Sequence, residues 1–250
     1  MQIRHSHAII TGSGSGIGRA IAIELARCGA RIVCAGRRAD RLDETVQMIE
    51  QDGGSGLAVP TDITDHRQVK RLMKDAMDRF GPIDVLFNNA GSFQSIAPVS
   101  ELDPSLWWHD VTINLRGAML CMREVLPNMK QRDQGIIINM NGGRPVGGTG
   151  YACGKAGLME LTRITALELK MQACHVIVLG AGPGLVRTEM TELQVNTEAG
   201  RKWIPSTAEC FASGHLRQPQ DIAFATVKAL QLAKPEHSGK HFDPTSDFSD

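Results

Sequence analysis

A glycine-rich stretch, TGSGSGIG at residues 11–18, decides how the rest of this sequence is interpreted. The residues before it, 7–11, are typical of a buried strand, and residues 17–28 have the apolar spacing of a helix. Glycines at such a junction allow a tight turn and let the backbone approach a pyrophosphate group at the helix N-terminus. Because the motif has the strand and the helix that it requires, we interpret it as a dinucleotide-binding loop and not as a flexible turn.

Short β-branched segments alternate with longer helical segments along the whole chain. We predict strands at residues 7–11, 31–36, 57–61, 83–87, 135–140, 174–180 and 240–243, and helices at 17–28, 40–51, 65–80, about 104–129, 151–172 and from Pro219. Strands that are apolar on both sides indicate a parallel sheet with helices on both faces. The predicted fold is therefore one α/β domain, residues 1–250, with a doubly wound parallel sheet of about seven strands. A polar segment at residues 188–217 interrupts the alternation, and we interpret it as a substrate lid.

The composition is that of an ordinary globular protein. Hydrophobic residues make up 42% and charged residues 22% of the 250 residues, which is enough for a substantial core. The 27 Lys and Arg residues balance the 27 Asp and Glu residues, which argues against a dedicated nucleic-acid surface. The longest apolar segments are much shorter than the roughly 18 residues of a membrane span, and the first strand begins too early for a signal peptide. We expect a cytoplasmic protein with no nucleic-acid and no membrane partner.

The six cysteines indicate neither a metal site nor a disulfide framework. They are scattered, with no CxxC motif and no Cys/His cluster. Most lie in apolar segments, where free cysteine packs as a small hydrophobic residue. We therefore predict no bound metal. The cysteines are Cys28, Cys34, Cys121, Cys153, Cys174 and Cys210.

The end of the second predicted strand bears on the choice of dinucleotide. An NAD site usually has an acidic residue there, about 20 residues after the glycines, which accepts hydrogen bonds from the ribose 2′-hydroxyl. This sequence has Gly36, Arg37 and Arg38 instead. Guanidinium groups bind a 2′-phosphate through paired hydrogen bonds, so we favour NADP(H) over NAD(H). The alternative is a solvated arginine pair at the start of a helix.

Six motifs, in order along the chain, resemble those of the short-chain dehydrogenase/reductase family of the classical type. They are TGSGSGIG at residues 11–18, DI at 62–63, NNAG at 88–91, Asn114, YACGK at 151–155 and PGLVRT at 183–188. The resemblance covers essentially the whole chain. It implies a Rossmann-type fold and an oxidoreductase that moves a hydride between a carbonyl–alcohol pair and a nicotinamide cofactor.

The resemblance also implies which residues hold the cofactor. At the family's positions, Asp62 and Ile63 flank the adenine, Asn88 and Gly91 line the cofactor channel, and Thr188 holds the nicotinamide carboxamide. The cofactor-binding residues that we expect are Gly12, Ser13, Ser15, Gly16, Ile17, Gly18, Arg37, Arg38, Asp62, Ile63, Asn89, Ala90, Gly91, Tyr151, Lys155, Pro183, Gly184, Val186 and Thr188.

Tyr151, the only tyrosine of the chain, and Lys155 are one helical turn apart and so share a helix face. A free phenol has a pKa of about 10, and a neighbouring ammonium favours the phenolate, so we expect a lowered pKa for Tyr151. The resemblance implies that Tyr151 is the acid/base, that Lys155 also binds the nicotinamide ribose, and that Asn114 holds a water in the proton relay. The alternative is a packed tyrosine ring beside a solvated lysine.

The family's catalytic serine is missing from its usual place. Counting back from Tyr151 by the family's spacing reaches Ile138 inside the fifth strand, and no serine lies between residues 139 and 151. The connection is shorter than in the family, and Asn141 is the nearest match to the serine. An asparagine amide can donate to a developing oxyanion; Thr149 is a less favoured substitute because it lies so close to the tyrosine. A missing donor would cost about 3 kcal/mol, so impaired, retuned and absent catalysis all stay open.

The loops after strands four to six are expected to frame the substrate. They include Phe93, Arg144, which suits an anionic substrate, and Trp203 or Phe211, which suit an apolar one. The alternative is a solvated arginine and buried lid aromatics, and the sequence does not identify the substrate. The resemblance implies a homodimer or homotetramer built on the long helix and the Tyr/Lys helix, although their apolar residues pack equally well against the sheet.

The sequence thus favours an NADP(H)-dependent oxidoreductase that interconverts a carbonyl and a secondary alcohol. Tyr151, Lys155, Asn114 and Asn141 are its candidate catalytic residues. One alternative is an NAD(H)-dependent dehydrogenase of the same family. The other is a non-catalytic dinucleotide-binding sensor or oligomer partner, which the missing serine favours and the Tyr/Lys pair opposes.

Overall fold

The computed structural model describes residues 2–243, and the polar C-terminal residues 244–250 lie outside that description. Its centre is a sheet of seven parallel strands in the order β3-β2-β1-β4-β5-β6-β7. The strands are β1 His7–Thr11, β2 Arg31–Gly36, β3 Ser55–Pro60, β4 Val85–Asn88, β5 Ile136–Met140, β6 Ile177–Ala181 and β7 His241–Phe242. The α/β fold class predicted from the sequence is confirmed.

Helices connect the strands and cover both faces of the sheet. They are α1 Gly16–Arg27, α2 Ala39–Gln51, α3 His66–Phe80, α4 Pro104–Val111, α5 Ala118–Gln131, α6 Thr149–Met171, α7 Glu189–Asn196, α8 Glu198–Trp203, α9 Pro205–Ser213 and α10 Pro219–Leu232. The N-caps follow from the sequence: the Asp65 carboxylate accepts from the Arg67 amide, and the Asp103 carboxylate accepts from the Ser105 amide.

Two apolar layers form the core, one on each face of the sheet. Alternate residues of a strand point to opposite faces, so Ile10 belongs to the layer under α1 and α10, and Ile9 to the layer under α3 and α5. Both side chains are fully buried. All-parallel sheets require this double cover, which is why the strands are apolar on both sides.

The strand order reverses between β1 and β4. The chain runs from β1 outward to β3 and then returns to the other side of β1. The loops after β1 and β4 consequently diverge and leave a crevice at the carboxyl edge of the sheet, where ligands bind in folds of this type. The glycine-rich loop and the DI, NNAG and PGLVRT motifs lie at the ends of strands at this edge, whereas Asn114 and the Tyr151–Lys155 motif lie on helices.

Several predicted elements have different bounds in the structure; the fourth and sixth strands, for example, are Val85–Asn88 and Ile177–Ala181 and not residues 83–87 and 174–180. The third strand begins at Ser55 and not at residue 57, because it pairs with β2 from Arg31 onward. The predicted long helix is broken at Thr112–Gly117 by a π-helical turn, which separates α4 from α5. The polar segment at 188–217 contains three short helices, α7 to α9. A single π-helical turn or a helix of two turns changes the spacing of apolar residues too little to be predicted from the sequence.

All six cysteines are free thiols. Within residues 2–243 no helix is both long enough and apolar enough to cross a bilayer. The same residues contain no cluster of three or more His, Cys, Asp or Glu side chains suited to a metal ion.

His7 is a fully buried imidazole at the amino end of β1. Its Nδ1 lies 3.0 Å from the Gly81 carbonyl and 3.2 Å from the Pro82 carbonyl, while Nε2 is buried and has no hydrogen-bond partner within residues 2–243. Burial lowers the pKa of His7 below its ordinary value of 6.5, so the folded chain holds the ring neutral.

This burial predicts a pH-dependent stability. As pH falls below 6.5, the unfolded chain binds a proton at His7 that the folded chain resists, so the free energy of unfolding decreases, by up to about 1.4 kcal/mol per pH unit for this group. Urea unfolding between about pH 7 and pH 5 measures the slope, which His7→Gln should reduce. An unchanged slope in that variant would contradict the prediction, and the exposed His175→Gln serves as the matched control.

Candidate active site

A cavity of about 660 Å³ opens at the carboxyl edge of the sheet. It extends from the glycine-rich loop, past the ends of β2 and β4, to helices α7 and α9. The lining residues that the sequence predicts are Gly12, Ser15, Gly16, Ile17, Arg37, Arg38, Asp62, Ile63, Asn89, Ala90, Gly91, Asn141, Tyr151, Lys155, Pro183, Gly184, Val186 and Thr188. One cavity therefore brings together nearly all of the predicted site residues.

Close packing fixes the glycine-rich loop against the end of β4. Gly12 has φ +69°, and a Cβ at this position would lie 2.8 Å from the Ala90 Cα. Asn89 donates from Nδ2 to the Thr11 carbonyl at 3.0 Å and to the Gly12 carbonyl at 3.3 Å. A Cβ at Gly18 would overlap the Gly12 carbonyl. Glycine is thus required at both positions, and the backbone is left open toward the cavity.

The N-terminus of α1 faces this cavity. Ser15 is the N-cap, and its side chain makes no capping hydrogen bond to the helix. Gly16, with φ +54°, turns the chain beside Thr188, whose Cγ2 would lie 3.2 Å from an added Cβ. The first amides of α1 are therefore available to a negatively charged group, which fits the pyrophosphate of a dinucleotide.

Arg37 and Arg38 line the cavity at the end of β2, and both are exposed. Arg38 donates from Nη2 to Ser15 Oγ at 3.2 Å and forms an ion pair with Glu189 Oε2 at 3.1 Å. The strand itself ends at Gly36, so no acidic side chain stands at that point. Two guanidinium groups and the Glu189 carboxylate therefore face this part of the cavity.

The residues after β3 form one wall. Asp62 accepts two hydrogen bonds, from the amide and the hydroxyl of Thr64, both at 2.8 Å. The side chain of Ile63 is buried against Gly117, where an added Cβ would lie 2.8 Å from Ile63 Cγ1. Both residues line the cavity at the place where the resemblance puts the adenine.

Three residues expected at the site lie beneath it. Asn88 is buried and donates from Nδ2 to Asn139 Oδ1 at 2.8 Å, so it ties β4 to β5 and does not line the cavity. Ser13 is fully buried, with its hydroxyl 3.5 Å from the Ala35 carbonyl. Gly18 packs under the loop. The expectation that Asn88 lines the cofactor channel is therefore corrected: its buried side chain supports the site by joining β4 to β5.

Tyr151 and Lys155 project from the first turns of α6 into the cavity. The ring of Phe93 stacks on Tyr151 with centroids 4.6 Å apart and planes 16° apart. Lys155 is buried, and its Nζ lies 5.7 Å from the centroid of the Tyr151 ring and donates to the Met140 carbonyl at 2.6 Å. The two side chains therefore share one pocket, as their spacing predicts.

Burial controls the protonation of both groups. Burial, with a smaller contribution from the negative charge of Asp110, raises the pKa of Tyr151 to about 12. Burial lowers the pKa of Lys155 from 10.5 to about 8. The expectation of a lowered phenol pKa is wrong for this arrangement, because burial disfavours the phenolate and the negative charge of Asp110 acts in the same direction. Near neutral pH Tyr151 carries its proton.

Asp110 organises the loop that faces Tyr151. Its fully buried carboxylate accepts from the hydroxyls of Ser92 at 2.6 Å and Ser95 at 2.7 Å, and from the backbone amides of Gln94 at 3.0 Å and Ser95 at 2.8 Å. These bonds satisfy a charge that would otherwise be costly to bury. The loop that carries Phe93 is therefore fixed in place.

Asn114 lies in the π-helical turn and is buried. Its Nδ2 donates to the Ser92 carbonyl at 2.6 Å and to the Asp110 carbonyl at 2.8 Å. A Cβ at Gly91 would lie 3.0 Å from Asn114 Oδ1 and 3.7 Å from Lys155 Nζ. Asn114 thus adjoins the Lys155 side of the site without lining the cavity itself.

Gly142 is the residue that faces the Tyr151 hydroxyl. A Cβ built at this position would overlap the phenolic oxygen, so no side chain fits there while the ring keeps this orientation. Asn141 lines the cavity next to it, with its amide nitrogen 2.6 Å from His241 Nδ1. Thr149 accepts a hydrogen bond from Trp107 Nε1 at 3.2 Å. The phenol occupies the space that a side chain at 142 would need.

Helices α7 and α9 line the far end of the cavity. Thr207 donates to Gln194 Oε1 at 3.0 Å, which joins α9 to α7, and both residues line the cavity. Arg144 lines it as well, on an exposed loop. Trp203 packs on Gly147 and, like Phe211, is not among the lining residues.

Sequence reasoning missed Asp110 and Gly142. An acidic residue four positions before Asn114, in a helix that otherwise buries apolar residues, is the signal that points to Asp110. The signal for Gly142 is weaker, because the short connection between β5 and α6 makes it hard to predict from the sequence which residue faces Tyr151. The raised pKa of Tyr151 depends on burial, which no local pattern encodes.

The model of the short-chain dehydrogenase family matches residues 6–199. With its parallel sheet, glycine loop and Tyr/Lys pair, this chain belongs to the short-chain dehydrogenase/reductase family and is an oxidoreductase of that family.

Relatives of known sequence and structure agree. The uncharacterized oxidoreductase YxbG of Bacillus subtilis (strain 168) is 32% identical over 244 residues, which cover 95% of this chain and 87% of YxbG. An uncharacterized oxidoreductase of Staphylococcus aureus (strain MRSA252) is 33% identical and covers 92% of each chain. Levodione reductase superposes with a TM-score of 0.85 at 27% identity over 96% of both chains. Actinorhodin polyketide ketoreductase with NADPH gives 0.85 at 25% identity over 97% of this chain and 96% of its own.

The single tyrosine makes its titration directly measurable. We predict that the near-ultraviolet absorbance of tyrosinate does not appear at the pH of about 10 where a free phenol ionises, and rises only near pH 12 or on unfolding. Tyr151→Phe should abolish the signal. A midpoint below that of a free phenol in the folded protein would contradict the prediction.

Proposed function

We propose that this protein reduces a carbonyl compound to a secondary alcohol with NADP(H), and that Tyr151 and Lys155 are the acid/base pair. The observation that carries the proposal is the Tyr151 ring beside the buried Lys155, in the same cavity as the glycine-rich loop. The cofactor supplies the hydride when it is bound. The remaining chemistry falls to the residues of the chain.

In the proposed reaction Tyr151 donates its proton to the substrate oxygen. The raised pKa of Tyr151, about 12, keeps the proton on the phenol near neutral pH, where it is available to a substrate oxygen. Lys155 anchors itself on the Met140 carbonyl and places a positive charge near the ring that loses its proton. Asn114, close to Lys155, is the proposed relay residue.

The arginines at the end of β2 support NADP(H). Arg37 and Arg38 line the cavity where no acidic residue terminates the strand, and guanidinium groups are good phosphate ligands. The ketoreductase among the structural neighbours is described with NADPH. NAD(H) remains the second candidate cofactor.

One observation favours a second function. Gly142, which offers no hydroxyl, faces Tyr151, and a short-chain dehydrogenase fold without that donor suits a dinucleotide-binding sensor.

Exposed apolar residues on α4 and α6, among them Trp108, Leu167 and Met171, suit the proposed homodimer or homotetramer.

Tyr151→Phe tests the acid/base assignment. Removal of the hydroxyl should lower kcat on any ketone, sugar or steroid substrate found by screening by about 10²–10⁴-fold, since no other side chain supplies the proton. NADPH should still bind, because the variant keeps the aromatic ring that lines the cavity. A variant that retains its turnover refutes the role, and tight NADPH binding without turnover on the whole panel favours the sensor.

Arg37→Ala/Arg38→Ala tests the cofactor preference. Loss of charged hydrogen bonds to a phosphate costs about 1.5–3 kcal/mol each, so NADPH binding should weaken at least about tenfold while NADH binding changes little. Fluorescence titration of both nucleotides measures this. The matched control is Arg71→Ala, since Arg71 is also an exposed arginine in an ion pair, with Asp75. Equal weakening for both nucleotides would overturn the preference.

A further inference from the structure

Gln194 is a buried polar side chain at the far end of the cavity. It lies in the last turn of α7, is 5% exposed and lines the cavity. The hydroxyl of Thr207 in α9, which is also buried, donates to Gln194 Oε1 at 3.0 Å. A Cβ at Gly200 would overlap the Gln194 backbone carbonyl, so α8 packs directly against this residue. Contacts from two other helices therefore hold Gln194 in place.

The hydrogen bond with Thr207 occupies the oxygen of the carboxamide and leaves its nitrogen free. Gln194 Nε2 has no hydrogen-bond partner within residues 2–243. Unlike Asn141 Oδ1, it is not fully enclosed by protein. Since the side chain lines the cavity, we infer that the nitrogen faces the cavity. An amide nitrogen can only donate, so its partner there must be an acceptor atom of a ligand.

Helix α7 places Gln194 one turn beyond the reacting groups. Met190 precedes Gln194 by four residues, so the two share a helix face, and both line the cavity. A Cβ at Gly91 would lie 3.6 Å from Met190 Cε and 3.7 Å from Lys155 Nζ, so Met190 adjoins the Lys155 side of the site. A helical turn is about 5.4 Å long. Gln194 therefore faces a part of the substrate other than its reacting carbonyl.

The cavity wall around Gln194 is largely apolar. Met190 lies on the same helix, and Ile204 and Cys210 lie three residues before and after Thr207; all three line the cavity. A single donor in an apolar wall is selective, because a ligand without an acceptor at that place leaves the donor unpaired. The carboxamide has no charge, so it matches a neutral oxygen better than a carboxylate, which prefers a cation.

We propose that Gln194 recognises a second oxygen of the substrate, so that the preferred substrate is a neutral ketone with a further carbonyl or hydroxyl oxygen on an apolar skeleton. Gln194 Nε2 donates to that oxygen, and Thr207 is a positioning residue that orients the carboxamide. This inference rests on the proposed carbonyl reduction. Neither residue takes part in hydride or proton transfer.

A pair of ketones that differ in one oxygen tests the proposal on the full-length protein. The probes are a cyclic diketone and the monoketone with the same ring, each reduced with NADPH, and the measured quantity is the ratio of their kcat/KM values. Gln194→Met keeps the length of the side chain and removes the donor, so it should lower this ratio about tenfold. The intrinsic reactivity of the two ketones cancels when the variant is compared with the unaltered protein. Thr207→Val should lower the ratio in the same direction and by less.

Gln172→Met is the matched control. Gln172 Oε1 also accepts a hydrogen bond, from Lys130, but the residue is exposed at the end of α6 and does not line the cavity. The control should leave the ratio unchanged. An unchanged ratio in Gln194→Met overturns the proposal. If that variant does not fold, an unchanged ratio in Thr207→Val overturns it instead.

Failure of the proposed function gives a different result, namely no oxidation of NADPH with either ketone. Binding then decides the inference. Titration calorimetry of the NADP⁺-loaded protein should show that the diketone binds about tenfold more tightly than the monoketone, and that Gln194→Met removes the difference. Equal affinities in the unaltered protein, or no binding of the diketone, overturn the inference.

Discussion

The structure depends on the hydrogen bonds that join the end of β1 to the end of β4. Thr11 Oγ1 accepts from the backbone amides of Asn89 and Ala90, both at 3.1 Å, and Asn89 returns hydrogen bonds to the Thr11 and Gly12 carbonyls. The strand order reverses between these two strands, so their loops would otherwise separate. The bonds fix the floor of the crevice, and both the glycine-rich loop and the NNAG segment take their position from it.

The charge pattern around Tyr151 follows from burial more than from sequence neighbours. Asp110 is a buried carboxylate that accepts hydrogen bonds from four donors, so it remains tolerable inside the protein while it opposes ionisation of the phenol. Burial also lowers the pKa of Lys155. Both members of the pair are thereby shifted toward their neutral forms.

The sheet, its layers and most of the cavity lining were predictable from the sequence, because alternating apolar strands and helices determine the fold and place the motif residues at one edge. Asn88 was misplaced because two adjacent asparagines after a strand point to opposite sides, and the motif alone does not say which faces the cavity. The π-helical turn at Asn114 and the raised pKa of Tyr151 arise from tertiary packing. The Asn141–His241 contact joins residues that are 100 positions apart, which no local pattern reveals.

Gly142 has a consequence for how this site can change over evolutionary time or in the hands of an engineer. Since the phenolic oxygen already fills the volume beside this residue, a serine introduced there alone would displace the ring before it gained a function. A serine at this position therefore requires a simultaneous change in the orientation of the Tyr151 ring or in the path of the β5–α6 connection.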